Sequence, residues 1–337
     1  MLIRIFALLN AAMPVAVVLC ALMIVHHAVA QDAVDSWRAG PIAPLPATPP
    51  SMPNTDPRKV RLGEKMFHDL RLSGDNTISC ASCHNLSSGG ADGMKKPVGI
   101  GGAHGTVNTP TVFNSTYNFT QFWDGRAESL EEQASGPVHN PVEMGSNWKQ
   151  VLSKLKRDKN IKEAFLTLYP DGITSDNIVD AIATFERTLV TVDAPFDRYL
   201  KGDKTAISPQ AANGYELFQS YGCASCHQGV SVGGNMYQTM GAMGDYFGDR
   251  GDVKDSDLGR YQVTQREADR YVFKVPSLRV VARTAPYFHD GTAQTLEDAV
   301  RYMAKYQLGR DIPNQDINAI VAFLKSLAGK YLRFDPQ

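Results

Sequence analysis

Cys80-Ala81-Ser82-Cys83-His84 and Cys223-Ala224-Ser225-Cys226-His227 are the two stretches that decide how this chain is read. Each is a C-x-x-C-H pentapeptide. Two thiols on one helical turn are spaced to add to the two vinyl groups of a single porphyrin, and the adjoining histidine then turns its imidazole toward the iron. The other reading of paired C-x-x-C motifs is a zinc site. Zinc ribbons set their pairs about 15–20 residues apart, whereas these two lie far apart along the chain. Zinc also gives no account of a histidine after both pairs. The expectation is two covalently bound haem c groups, held by Cys80, Cys83 and His84 and by Cys223, Cys226 and His227.

Outward from the motifs the pattern is helical and partly duplicated. Gly63-x-x-Met66-Phe67 precedes the first motif and Gly214-x-x-Leu217-Phe218 the second, with the same glycine-to-phenylalanine offset; such weak duplication suggests two related modules. Between them Ile178, Ile182, Phe185 and Leu189 recur on one helical face. Ser208-Pro209 reads as a helix start, an N-cap serine followed by proline in the first turn. Ile317, Ile320, Val321, Leu324 and Leu327 form a late apolar stripe, with Gly329 as a stop signal. Residues 222–257 are rich in Gly, Asp and Met without periodicity and read as a long ordered loop, the kind that tends to carry function. The expected fold is mainly α with few short strands. It comprises two cytochrome c-like haem domains, residues 58–205 and 206–337, with long ordered loops and the last helix free to pack back on the first domain.

The N-terminus belongs to neither domain. An apolar run from Ile5 to Val25 follows Arg4 and ends in Ala28-Val29-Ala30, an A-x-A cleavage pattern, so residues 1–30 read as a secretory signal peptide. The run is also long enough for an uncleaved membrane anchor; Pro14, His26 and His27 favour cleavage. Cys20 falls inside this segment, and Leu19 is too bulky to precede a lipidated cysteine. The remaining four of the five cysteines all lie in the two motifs. Residues 31–57 are proline-rich and read as an extended tether outside the core. The 337 residues, 43% hydrophobic and 20% charged, match a soluble globular protein, and a net charge of −1 without a basic stripe excludes nucleic-acid binding.

The ordered motifs resemble the bacterial dihaem cytochrome c peroxidases and their MauG-like relatives, from Leu62 to Gly329. The matching segments include Leu70-Arg71-Leu72-Ser73, Asn108-Thr109-Pro110-Thr111-Val112, Gln121-Phe122-Trp123-Asp124-Gly125-Arg126-Ala127 and Val142-Glu143-Met144. In the second half they include Met243-Gly244-Asp245-Tyr246-Phe247, Tyr271-Val272-Phe273-Lys274-Val275-Pro276-Ser277-Leu278-Arg279 and Pro286-Tyr287-Phe288-His289-Asp290-Gly291. The resemblance implies a low-potential peroxidatic haem on His84 and a high-potential electron-entry haem on His227, with Met303 as the second ligand of the latter. A thioether is a soft ligand that raises the potential, although Met303 taken alone reads as a core methionine. The resemblance further places Trp123 as an electron bridge between the haems and Glu143 and Gln133 over the peroxide site. It also places Asn108, Thr284 and Pro286 around a calcium ion, partly through backbone carbonyls. These roles agree with the chemistry. One secluded carboxylate can take a proton from one peroxide oxygen and return it to the other, and two haems together supply the two electrons that peroxide reduction needs.

One position departs from that family. Many members carry a histidine in the loop after the first motif, which ligates the peroxidatic iron at rest and leaves on activation. Here Ile100 stands at that place, and isoleucine cannot ligate iron. His104, four residues on in Gly101-Gly102-Ala103-His104-Gly105, is an alternative ligand; the other reading is a loop histidine beside an open iron. His68 reads as a packing or haem-edge residue, His139 and His289 as structural. The expected function is a periplasmic peroxidase that reduces hydrogen peroxide with electrons from a small c-type cytochrome or cupredoxin, with a homodimer allowed for. The competing readings are a MauG-like oxidase of a partner protein, whose second haem has a tyrosine ligand, and a pure electron-transfer dihaem cytochrome. Tyr302 and Tyr306 flank Met303, but the residue in register is Met303.

Overall fold

The computed structural model describes residues 40–46 and 55–331; the expected signal peptide and most of the tether lie outside them. The described chain is mostly helical. In order come α1 (Pro57–Phe67), α2 (Cys80–Cys83), α3 (Leu130–His139), α4 (Trp148–Leu155), α5 (Lys159–Leu168) and α6 (Ser175–Glu186). After the short strand β1 (Thr191–Val192) come α7 (Pro195–Leu200), α8 (Pro209–Ser220), β2 (Tyr237–Thr239), α9 (Tyr246–Arg250) and α10 (Tyr261–Thr264). The chain closes with β3 (Val272–Lys274), α11 (Leu296–Tyr302), α12 (Asn314–Ser326) and β4 (Lys330–Tyr331). β2 pairs antiparallel with β3 and β1 with β4.

The helix ends follow local chemistry. Asp56 caps α1 by accepting from Arg58 N, with Pro57 in the first turn. Ser208 caps α8 through Ala211 N, as its sequence predicts. The 222–257 segment carries more structure than a loop, since β2 and α9 fall inside it.

The duplicated glycine and phenylalanine have a common cause. α1 crosses α6 so closely that a Cβ on Gly63 would collide with the Ala181 carbonyl, and α8 crosses α12 so closely that a Cβ on Gly214 would collide with the Ala319 carbonyl. One turn beyond each crossing two phenylalanines meet. Phe67 and Phe185 have ring centroids 5.3 Å apart, Phe218 and Phe323 5.1 Å. Each glycine lets two backbones touch, and each phenylalanine fills the space that opens as the helices diverge. The α1–α6 pair anchors one hydrophobic core with Val138, Val151, Leu155, Ile161 and Phe165. The α8–α12 pair anchors another with Phe196, Tyr215, Val232 and Leu296.

The tether is not wholly outside the core. Ile42 and Leu45 are 2% and 4% exposed, and Ile42 belongs to the second core. Ile42 bridges to Gly229, Leu45 N donates to Asp197 Oδ1 at 3.3 Å, and Ala43 O accepts from Arg279 Nη2 at 3.1 Å. A proline-rich strand makes no internal hydrogen bonds, so its backbone is free to dock while two apolar side chains are buried. The last helix, α12, packs on α8 and α11. It is the strand after it that touches the first core, where Tyr331 lies 5.0 Å from Phe113.

Candidate haem sites and the residues between them

α2 is a single turn, and it carries the first motif. Ser82 Oγ accepts from Ser79 N at 3.0 Å, and His84 N donates to Cys80 O at 2.9 Å. His84 Nδ1 lies 3.2 Å from Gly90 O and donates to it, which fixes the tautomer and leaves Nε2 with its lone pair free for a metal. Burial holds the imidazole below its usual pKa and hence neutral.

Glu143 lies in the turn after α3, and its charge is felt at the Cys83 thiol together with that of Asp92. Asn140 shapes that turn. Its side-chain Nδ2 donates to Glu143 Oε1 at 2.7 Å and its Oδ1 accepts from Val142 N at 3.1 Å. Burial raises the Glu143 pKa, against the opposing pull of Arg126 and the Asn140 amide. Gln133 lies half-buried on α3, two turns before Asn140. The loop that holds Ile100 is tied to the same turn: Ile100 N donates to Glu143 O at 2.8 Å, and the Ile100 side chain packs at Gly74 and Gly145. His104 is exposed. His68 is exposed, with Nδ1 bonded to Glu64 O, and the exposed His139 bonds Ser135 O.

The segment Gln121–Arg126 serves both halves. Phe122 has φ +66°, an uncommon backbone for a phenylalanine, and it turns successive side chains apart. Phe122 lies against α3 at Gly136 with the Arg126 guanidinium 3.5 Å from its ring centroid. Trp123 instead lines the second cavity. Its Nε1 donates to Asn108 O at 2.9 Å, and its carbonyl accepts from Lys274 N at 2.8 Å.

The second motif opens into a mostly apolar cavity of about 290 Å³ lined by Cys223, Cys226, His227, Phe218, Leu296 and Met303, among others. Burial lowers His227 to a pKa of about 4, outweighing the carbonyls of Val232 and Pro276 that face it; no contact satisfies its Nδ1 with good geometry. Two cysteines, a neutral histidine and a methionine around an apolar slot are the donor set haem c takes. Met303 opens a π-helical turn, Met303–Gln307, directly after α11; such turns often mark functional positions. Tyr302 and Tyr306 do not line the cavity and pack instead in an aromatic cluster with Tyr246 and Phe288. Asn108, Thr284 and Pro286 all line this cavity, and Asn108 Nδ2 is bonded to Met94 O at 2.7 Å.

Sequence reasoning missed a buried charge network beside Trp123. His289 Nε2 bonds Asp257 Oδ1 at 2.7 Å, and Arg250 spans Asp257 and Asp290, with 2.6 Å to the latter. Burial pushes the Asp257 carboxyl up, but the bonds from His289 and Arg250 outweigh it and hold it low. The ligand atoms of Asp257, His289 and Asp290 lie within 4.8 Å of one another, close enough for a cation, yet the Arg250 guanidinium already fills that role. Nothing in the spacing of these residues announces the network. Lys274 was missed too, although a single lysine in the apolar run Val272-Phe273-Lys274-Val275 is a readable signal.

Comparison with known proteins agrees with this arrangement. Residues 57–205 match the family model of the di-haem cytochrome c peroxidases. The chain is 48% identical over 301 residues to cytochrome c peroxidase Ccp of Escherichia coli (strain K12), covering 89% of this chain and 63% of that protein. It is 46% identical to cytochrome c551 peroxidase of Nitrosomonas europaea, covering 86% of this chain and 84% of that one. The solved structure of a MauG-like protein associated with microbial copper homeostasis superposes with a TM-score of 0.73 at 26% identity, over 86% of this chain and 94% of that one. With two haem-attachment motifs, and with identity this high over most of a relative's length, the chain belongs to the di-haem cytochrome c peroxidase family.

Proposed function

We propose that this chain is a periplasmic peroxidase that reduces hydrogen peroxide to water. In this reading a small c-type cytochrome or cupredoxin would deliver electrons to the haem held by His227, and Trp123 would bridge to the haem held by His84. The observation that carries the reading is the half-buried carboxylate of Glu143, held by Asn140 beside the first motif, in a chain with two haem-attachment motifs. Bound haem supplies the redox chemistry and the place where peroxide is reduced.

The protein's own groups supply the proton handling and the path. Glu143 takes a proton from one peroxide oxygen and delivers it to the other, and burial brings its pKa up toward the working range of such a base. Asn140 fixes the direction of the carboxylate, and Gln133 on α3 positions peroxide. Trp123 is clamped at its indole by Asn108 and at its carbonyl by Lys274, which gives a rigid bridge. His84 and His227 would hold the two irons, with Met303 as the second ligand at the latter. A calcium ion would be held by Asn108, Thr284 and Pro286, partly through backbone carbonyls. The modules meet near residue 205, each built on one of the repeated helix pairs. Export follows from the signal peptide; no helix among the described residues is long and apolar enough to cross a membrane.

Neither competing function fits as well. A MauG-like oxidase needs a tyrosine at the second haem, and Tyr302 and Tyr306 lie outside the cavity that Met303 lines. A pure electron carrier has no use for Glu143. The test is Glu143→Gln in the holoprotein: two haems retained and about 10²-fold or more lost in peroxide turnover with a reduced donor. Full activity in the variant removes Glu143 from the mechanism, and an inactive wild type removes the peroxidase reading.

A further inference from the structure

Lys274 is a charged residue without a counter-charge. The residue is 8% exposed and lines the cavity of the second motif. Burial alone acts on it, lowering its pKa to about 8. The carboxylates of the charge network beside Trp123 are already committed, Asp257 to Arg250 and His289 and Asp290 to Arg250 and Tyr246, and Asp124, next to Trp123 in the chain, pairs with Arg126. Among the described residues no ion pair or side-chain hydrogen bond involves the Lys274 ammonium. A buried charge of this kind is costly unless an opposite charge joins it.

The cavity's expected occupant carries such charges. Haem c has two propionate carboxylates, and Lys274 is the one lysine or arginine among the described residues that line the cavity. We propose that Lys274 is the charge partner of a propionate of the second haem and that its ammonium holds this haem's reduction potential high. The inference rests on the reading of the second motif as a haem site. A positive charge beside the porphyrin penalises Fe(III), which carries one positive charge more than Fe(II), and so favours the reduced state. The electron-entry haem needs that bias. The placement is fixed rather than incidental, because the same residue's N–H holds the Trp123 carbonyl in register.

The experiment uses the holoprotein with Lys274→Gln and Lys274→Arg. Circular dichroism and a pyridine haemochrome first establish native helicity and two haems per chain. At a fixed poise near the second haem's midpoint, Lys274→Gln should lower its Fe(II)/Fe(III) ratio about tenfold. The propionate bending mode in its resonance Raman spectrum should shift with it. Lys274→Arg keeps the charge and should restore both. An unchanged ratio and an unchanged propionate mode in Lys274→Gln, with two haems bound, would overturn the inference while leaving the haem assignment standing. A haemochrome of one haem per chain in the wild type would overturn the assignment and this inference together.

Discussion

The Asn140 side-chain amide donates to Glu143 Oε1 at 2.7 Å, so the carboxylate beside the first motif is oriented by its own turn rather than by a distant element. That bond favours the charged form and works against the burial that raises the pKa. Asn140→Ala removes it, so the Glu143 pKa should rise further. Less of the base is then ionised at a given pH, and the acid limb of the kcat/KM profile should move to higher pH. A profile superimposable on wild type would show that the bond does not set the base's ionisation.

Ile100 and His104 make opposite forecasts for the resting state. Ile100 N is tied to Glu143 O at 2.8 Å and Gly99 N to Ala103 O at 2.8 Å, so a swing of His104 toward the first haem has to break this packing. The oxidised, as-purified protein should therefore show an axial high-spin ferric signal in electron paramagnetic resonance beside a low-spin His/Met signal. Low-spin signals alone, one of them turned high-spin by His104→Ala, would make His104 the ligand.

Gly63 and Gly214 mark the two helix crossings. A methyl at either site meets a backbone carbonyl that cannot move aside without separating the helices. Gly63→Ala and Gly214→Ala should each destabilise the holoprotein by about 3 kcal/mol, read as a lowered midpoint in denaturant titration. Wild-type midpoints would mean that the helices cross with slack.

Arg279 and Asp197 form an ion pair at 2.8 Å with side chains 0% and 2% exposed, and Arg279 Nε also donates to Val230 O. Arg279→Met leaves Asp197 buried without its partner and should cost about 3–5 kcal/mol. Adding Asp197→Leu should recover part of that loss, because the stranded charge is then gone. A double variant no more stable than the single one would shift the weight to the Arg279 bonds with Ala43 O and Val230 O.

Glu186 gives a stability signature with pH. It is 4% exposed, its Oε2 has no hydrogen-bond partner, and burial raises its pKa from 4.5 to about 8 despite the nearby Arg187. The folded state holds the proton more tightly than the unfolded chain, so the contribution is fully present below pH 4.5 and is lost as pH rises toward 8. Compared with Glu186→Gln, the wild type should lose a few kcal/mol across that window. Parallel pH dependences in the two proteins would show that Glu186 has found a charge partner.

The sequence by itself determined the parts of this protein that chemistry writes in short spans. The attachment motifs at Cys80–His84 and Cys223–His227 are legible because two thioethers and an axial imidazole must come from one helical turn. The cap at Ser208 and the stripe through Ile178, Ile182 and Phe185 are legible because they depend on neighbours three or four residues away. The tertiary structure alone decided what depends on contacts distant in sequence. Gly63 and Gly214 are visible as a repeat, but only the facing carbonyls of Ala181 and Ala319 explain them. Ile42 reads as tether because nothing local reveals the core of α8 and α12 that receives it. The burial of Glu186 and Lys274 was decided only by folding, since burial is a property of the whole chain rather than of any segment.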